Sequence, residues 1–197
     1  MNKLLSLFIV LNLFMLLDGT SIAQNWQLDS SQSKIYFSSV KNSAIAEIHY
    51  FSKLSGQLNA KGELMIEVDL ESVNTAIPIR DTRMKEMFFE TQKYPKALIT
   101  TSAIPSVREI LKSQDRRVQT QAALTLHGKT QTVDLHLQVM RISPKRIRVI
   151  SEKPTFVQVS AFDLDGGLKK LQNIANLNHI SASVPVNVVI DFVPYKP

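Results

Sequence analysis

The sequence predicts an all-β fold, either an antiparallel barrel or a sandwich. Three observations support this: apolar and polar residues alternate along many segments, the segments are short and evenly spaced, and tight-turn sequences separate several of them. Alternation with a period of two is typical of a half-buried strand, because successive side chains point to opposite faces of a sheet. The 197 residues, 44% of them hydrophobic and 20% charged, suit one folded domain.

The first 23 residues have the pattern of a cleavable secretory signal. Lys3 precedes an apolar run over residues 4–17, and a small-residue cleavage site ends at Ala23. A membrane anchor is the alternative, but the run is shorter than the roughly 20 residues that a spanning helix needs. We therefore expect residues 1–23 to be removed and residues 24–197 to form a single exported domain.

Ten segments of the chain have the strand pattern, and turn sequences separate several of them. Gly62 follows Asn59 in one such turn, Gly128 follows His127 in a tight hairpin, and Pro144 lies in a third. Glycine suits the hairpin because it adopts positive φ at little cost. The candidate strands are residues 34–40, 44–51, 53–60, 64–70, 97–104, 118–126, 133–139, 146–151, 156–161 and 184–192.

Two further segments have the spacing of helices. Residues 80–91 carry two methionines and two phenylalanines among charged side chains. Residues 167–177 carry an apolar stripe that repeats every three or four positions. We expect two short helices that lie against the sheet or close the ends of the barrel.

The sequence has no recognisable motif for nucleophilic catalysis, phosphate binding or dinucleotide binding. It contains no cysteine, and its four histidines do not have metal-ligand spacing, so we expect neither a metal site nor a cofactor. Glu47 and His49 share one face of a predicted strand. They could act as an acid–base couple or make a structural hydrogen bond, and the second is favoured because no nucleophile accompanies them.

The basic residues give a net charge of +6 and are spread over several short segments. Little aromatic interleaving accompanies them, which argues against a nucleic-acid partner. Two alternatives remain for these residues: a solvated surface, or transient contact with an anionic membrane surface or an anionic ligand head group.

The interior of such a barrel has two possible contents. An eight-stranded barrel is just wide enough to be filled by its own side chains or to hold one small ligand. Periodicity does not distinguish these options, and a packed interior is the default expectation.

Several motifs occur in a characteristic order along the chain. They are WQLD at 26–29, SKIYF at 33–37, AEIHYF at 46–51, LSG at 54–56, VDLESVNT at 68–75, IRDTRM at 79–84, FF at 88–89, YP at 94–95 and LTLHG at 124–128. In order and spacing they resemble the YceI-like family of secreted lipocalin-like proteins, and the resemblance covers residues 25–194.

The resemblance implies an eight-stranded antiparallel, lipocalin-like barrel with one or two short capping helices and a long apolar cavity. It also implies a periplasmic carrier or storage protein rather than an enzyme. The implied ligand is a polyisoprenoid chain, such as an isoprenoid quinone or its precursor, held inside the barrel.

A polyisoprenoid tail is bound through burial of apolar surface, so its site requires apolar lining residues rather than special chemistry. We expect the lining to come from the inward strand rows and the first helix, with plain core packing as the alternative role for each residue. The candidates are Ile35, Phe37, Ile48, Phe51, Leu64, Ile66, Val68, Met84, Met87, Phe88, Phe89, Leu124, Leu126, Leu135, Leu137, Val186 and Val188.

Three polar residues in the matching segments are candidates for contact with a ligand head group, namely His49, Arg80 and Arg83. An ion pair with Asp81 or Glu86 is the alternative role for Arg80. Two other functions stay open: an enzyme that acts on such a lipid through Glu47 and His49, and a stress-related structural or interaction protein with a filled barrel. A homodimer is also compatible with the sequence.

Overall fold

The computed structural model describes residues 25–102, 104–112 and 115–195, so the expected signal segment lies outside the described residues. Twelve strands in these ranges join in one antiparallel sheet, which closes because β1 pairs with both β4 and β12. The strands are β1 (Trp26–Leu28), β2 (Lys34–Lys41), β3 (Ile45–Phe51), β4 (Leu54–Leu58), β5 (Leu64–Asp69), β6 (Val73–Asn74), β7 (Lys96–Thr101), β8 (Asp115–Leu126), β9 (Lys129–Ser143), β10 (Arg146–Ser151), β11 (Thr155–Gln158) and β12 (Ser183–Pro194).

The twelve strands occupy eight positions around the barrel, because four positions are each shared by two strands separated by a bend. Residues 192–194 of β12 pair with β1, and residues 186–189 of the same strand pair with β2. β3 pairs with β6 and β4 pairs with β5, so β3 and β4 share one position and β5 and β6 share the next. β10 and β11 both pair with β12 and share the position beside it. The prediction of a closed, eight-stranded antiparallel barrel is confirmed.

β5 illustrates how the alternating pattern builds the wall. Leu64, Ile66 and Val68 are buried on the inner face, whereas Met65 is exposed and Glu67 forms an ion pair with a lysine of β7. The apolar row therefore faces the barrel interior and the polar row faces solvent.

The hairpin between β8 and β9 has the two-residue turn that the sequence predicts. His127 has φ of 50° and Gly128 has φ of 76°. Positive φ at both central residues is the geometry of a type I′ turn, whose twist matches that of the flanking strands.

Helical segments lie at both ends of the barrel. Helix α1 (Pro78–Arg83) continues directly as a π-helical segment (Met84–Phe89), and helix α3 (Asp165–Ile174) packs against that segment at the same end. These correspond to the two predicted helices, and each begins two residues earlier than expected. The short helix α2 (Val107–Lys112), which the sequence analysis did not identify, lies near the opposite end of the barrel, where its backbone contacts Ala60.

The close packing of the two helical segments depends on Gly167. A Cβ atom placed there would lie 2.6 Å from the carbonyl oxygen of Met87 and 2.8 Å from Cα of Phe88. The neighbouring Gly166 has open space around it. The helices therefore approach to a distance that only glycine permits at this crossing.

The substitution Gly167→Ala is expected to lower the free energy of unfolding by about 1–3 kcal/mol, since the added methyl group must push two backbones apart. Gly166→Ala is the matched control, and it is expected to leave stability unchanged or to raise it by up to about 1 kcal/mol through helix propensity. Urea unfolding of both variants measures the difference. Equal effects at the two positions would contradict the close approach.

None of the helices within residues 25–102, 104–112 and 115–195 has the length and hydropathy needed to cross a membrane.

Candidate functional site

The barrel encloses an apolar cavity of about 430 Å³. Its wall combines the inward rows of the strands with side chains of α1, the π-helical segment and α3. Several inward side chains on β8, β9 and β12, among them Leu124, Leu135, Val186 and Val188, are only partly buried. Their free surface faces the cavity, so the barrel is not filled by its own side chains. This volume lies in the range of ligand pockets, about 300–1,000 Å³.

Most of the lining residues expected from the sequence lie on this wall. Fifteen of the apolar candidates do so: Ile35, Phe37, Phe51, Leu64, Ile66, Val68, Met84, Phe88, Phe89, Leu124, Leu126, Leu135, Leu137, Val186 and Val188. All three head-group candidates, His49, Arg80 and Arg83, also line the cavity.

Two apolar candidates are not on the wall. Ile48 is 72% exposed, because His49 and Phe51 of the same strand face inward and the alternate residues, which include Ile48, must face outward. Met87 is half-buried beside α3, since Met84 and Phe88 already occupy the inward side of that helical turn. The expectations for Ile48 and Met87 are therefore wrong as regards position.

The structure adds wall residues that the sequence analysis did not assign to the cavity. Ile99 of β7 and Val149 of β10 contribute from the strands. Leu168, Leu171 and Ile174 contribute from α3. The apolar stripe of α3 was the available signal, and it identifies a helix face that covers the cavity.

A polar cluster lies at one end of the cavity, where β2 and β3 meet α1. The carboxylate of Glu47 forms an ion pair with Lys41 and accepts a hydrogen bond from Nη1 of Arg80 at 2.6 Å. Arg80 also donates from Nη2 to the backbone carbonyl of Thr75 at 2.5 Å. Burial alone would raise the pKa of Glu47, but the two cations outweigh it and hold that pKa below its ordinary value.

The alternative partners expected for Arg80 are not the ones observed. Asp81 instead accepts hydrogen bonds from the backbone N–H and the hydroxyl group of Thr75, at 2.7 and 2.5 Å. Arg80 therefore joins α1 to the barrel wall through Glu47, which lies 33 residues earlier in the chain.

His49 is buried within this cluster, and its ring contacts Ser39 and Phe37. Nε2 lies 3.0 Å from the hydroxyl oxygen of Ser39, whereas Nδ1 has no hydrogen-bond partner among the described residues. Burial lowers the pKa of His49, and the positive charge of Arg80 lowers it further. The lowered pKa favours the neutral imidazole, in which one nitrogen is a donor and the other an acceptor.

The proximity of Ser39, His49 and Glu47 does not make a catalytic triad. In a triad the carboxylate contacts the ring nitrogen that faces away from the serine. Here Glu47 lies 3.8 Å from Nε2, the nitrogen that already faces Ser39, and two cations engage its carboxylate. The carboxylate of Glu47 is thus held by Lys41 and Arg80 rather than placed as the partner of a Ser–His pair.

Within the part of the chain that the structure describes, no three His, Asp or Glu side chains are grouped so as to hold a metal ion.

Comparison with models of protein families shows the family to which this chain belongs. The model, described as the YceI-like domain, matches residues 26–192, which include every strand from β1 to β11 and most of β12. The chain belongs to the YceI-like family. A comparison with curated proteins found no match.

Solved structures include several that are similar to this YceI-like chain. A polyisoprenoid binding domain from Saccharophagus degradans, implicated in plant cell wall breakdown, is 34% identical, with a TM-score of 0.80 over 86% of this chain and 98% of that chain. BcnA of Burkholderia cenocepacia is 18% identical, with a TM-score of 0.62 over 83% of this chain and 98% of that chain. A YceI protein of Campylobacter jejuni is 16% identical, with a TM-score of 0.55 over 76% and 85%. The last two show the fold alone.

Proposed function

We propose that this YceI-like protein binds a long apolar lipid inside its barrel and acts as a carrier or store of that lipid. The observation that carries the proposal is the apolar cavity, whose inward side chains are left partly uncovered. A barrel that served only as a scaffold would gain stability by filling this space, since uncovered apolar surface in a cavity lowers stability.

A polyisoprenoid, such as an isoprenoid quinone or its precursor, is the ligand class that we propose. The Saccharophagus degradans neighbour, 34% identical to this chain, is described as a polyisoprenoid binding domain. The cavity wall of the present protein offers an isoprenoid tail the surface that it needs, namely aliphatic and aromatic side chains with few polar atoms.

The energetics of the cavity favour a long chain over a small apolar molecule. Burial contributes about 0.8 kcal/mol per methylene group, whereas association costs at least about 4 kcal/mol in lost freedom. A five-carbon ligand would therefore gain about as much as it loses. A tail of fifteen buried carbons would gain about 12 kcal/mol and bind firmly.

The polar cluster is the proposed position of the head group. His49, Arg80 and Arg83 all line the cavity, and Nδ1 of His49 is buried without a hydrogen-bond partner among the described residues. A neutral imidazole can donate to a carbonyl oxygen or accept from a hydroxyl group. We propose a binding role rather than catalysis for these residues, because the cluster lacks the arrangement of a triad. The signal pattern of residues 1–23 supports a periplasmic location.

The proposal is tested by native mass spectrometry of the protein purified after export, followed by solvent extraction and lipid analysis. We expect a mass increment that corresponds to one polyisoprenoid lipid. The delipidated protein should regain that increment when it is titrated with an isoprenoid quinone. A protein that emerges without lipid and takes up neither quinone nor polyprenol would overturn the proposed function.

A further inference from the structure

One edge of the cavity is open to solvent, and apolar side chains surround the opening. Ile77 and Ile79 at the start of α1, and Ile174 at the end of α3, line the cavity and are also between 44% and 57% exposed. Ile45, at the start of β3, is exposed to a similar extent. We call these four isoleucines the rim.

The fold brings the members of the rim to the same end of the barrel. Gly167, near the start of α3, contacts Met87 and Phe88 near the end of the π-helical segment. The two helical segments therefore lie side by side, and both contribute cavity-lining isoleucines at their outer ends. A β-bridge between Lys41 and Ile180 then places the chain that follows α3 beside the β2–β3 hairpin, which carries Ile45.

The charged residues around the rim carry an excess of positive charge. Lys169 and Lys170 of α3 are exposed, and Lys170 lies four residues before Ile174 on the same face of the helix. Arg83 lies half-buried on the cavity wall nearby. Two carboxylates in this region are already engaged. Glu47 forms ion pairs with two cations, and Asp81 accepts hydrogen bonds from Thr75.

Two other carboxylates of the helical segments lie away from the rim. Asp165 begins α3, nine residues before Ile174, and Glu86 belongs to the π-helical segment beside Gly167. The surface next to the rim therefore combines exposed isoleucines with lysines, which is the composition that binds anionic lipid surfaces.

We propose that the rim is a docking surface that seats the open end of the barrel on an anionic lipid bilayer. The role in lipid transfer rests on the proposed function, whereas docking itself requires no bound ligand. Docking would allow an apolar chain to move between bilayer and cavity without exposure to water. A protein partner is a less suitable occupant, because the rim lacks the tryptophan and tyrosine anchors that dominate protein–protein contacts.

The test is vesicle flotation of ligand-free protein, with equimolar phosphatidylglycerol and phosphatidylcholine in one sample and phosphatidylcholine alone in the other. We expect the protein to float with the anionic vesicles and to be released by high salt. The double variant Ile77→Glu/Ile79→Glu should bind at least tenfold more weakly. The control variant Ile142→Glu replaces an isoleucine that is 51% exposed near the opposite end of the barrel, and it should bind as the unmodified protein does.

A second variant separates docking from ligand binding. Lys169→Glu/Lys170→Glu changes residues that do not line the cavity, so it should weaken flotation severalfold while leaving quinone affinity unchanged. Absence of flotation, or equal loss in the rim and Ile142 variants, would overturn the docking proposal. A rim variant that converts a dimer to a monomer in light scattering, with no vesicle binding, would also overturn it by assigning the surface to a second copy. Flotation that depends on the rim in a protein that takes up no quinone would support docking and refute the carrier function.

Discussion

The substitution Asp191→Asn is expected to lower the free energy of unfolding by about 3 kcal/mol at neutral pH. Asp191 lies on β12 and is fully buried. Its carboxylate accepts from Nε and Nη2 of Arg148, at 2.6 and 2.9 Å, and from Nη1 of Arg146 at 2.8 Å. Removing one partner from a buried ion cluster costs about 3–5 kcal/mol because a charge is left without compensation. We expect the lower end of that range, since the two arginine side chains are 31% and 36% exposed.

The same cluster predicts a loss of stability in acid. Burial alone would raise the pKa of Asp191, but hydrogen bonds from Arg148 and Arg146 outweigh it and hold the pKa below its ordinary value. A carboxyl group with a lowered pKa in the folded state stabilises the protein above its unfolded pKa, about 3.9. This contribution declines as the pH falls from that value toward the folded pKa.

Urea unfolding at pH 7 and at pH values below 4 measures both effects. The matched control is Asp163→Asn, because Asp163 pairs with Lys129 but is 65% exposed. An exposed pair contributes at most about 1 kcal/mol, so the control should change stability little. If the two variants lost equal stability, the strand pairing of β12 rather than the ion cluster would hold this end of the barrel. The Asp191 variant should also lose less of its stability in acid than the unmodified protein does.

The strands of this barrel could be predicted because their inward-facing residues, which occupy every second position, are apolar over several repeats. β5 and β12 are clear examples, because every second residue from Leu64 to Val68 and from Val184 to Phe192 is apolar. β3 was more difficult, since Ile48 and Phe51 are both apolar but have opposite parity. Only the pairing of β3 with β2, in which His49 lies opposite Phe37, determines which row faces inward.

The parts of the site that were not predicted depend on contacts between distant segments. The ion pair of Glu47 with Arg80 joins residues 33 positions apart, and the local sequence offered Asp81 as a nearer partner for Arg80. The bends that divide four barrel positions into two strands each are likewise set by which neighbour pairs with each half. The cavity itself could not be inferred from periodicity, because a filled barrel and a hollow one have the same alternating pattern.

Lipid binding is expected to fall at least tenfold when Val188 is replaced by tryptophan. Val188 is on the cavity wall in the middle of β12 and is only partly covered by its neighbours, so a larger side chain there extends into the cavity. Displacing the equivalent of two methylene groups of the ligand costs about 1.6 kcal/mol, which corresponds to more than a tenfold loss of affinity. Titration of the delipidated protein with an isoprenoid quinone measures this loss.

The adjacent residue provides a control of the same type. Val189 is also a partly buried valine of β12, but it is not on the cavity wall, and consecutive side chains of a strand point to opposite faces. Val189→Trp should therefore keep the quinone affinity of the unmodified protein, and thermal unfolding checks that both variants are folded. Because the two variants carry the same added side chain on the same strand, a difference between them reports which face the ligand occupies. Equal affinities in both would mean that the lipid binds outside the barrel, and the interior would then have to be regarded as an unoccupied structural cavity.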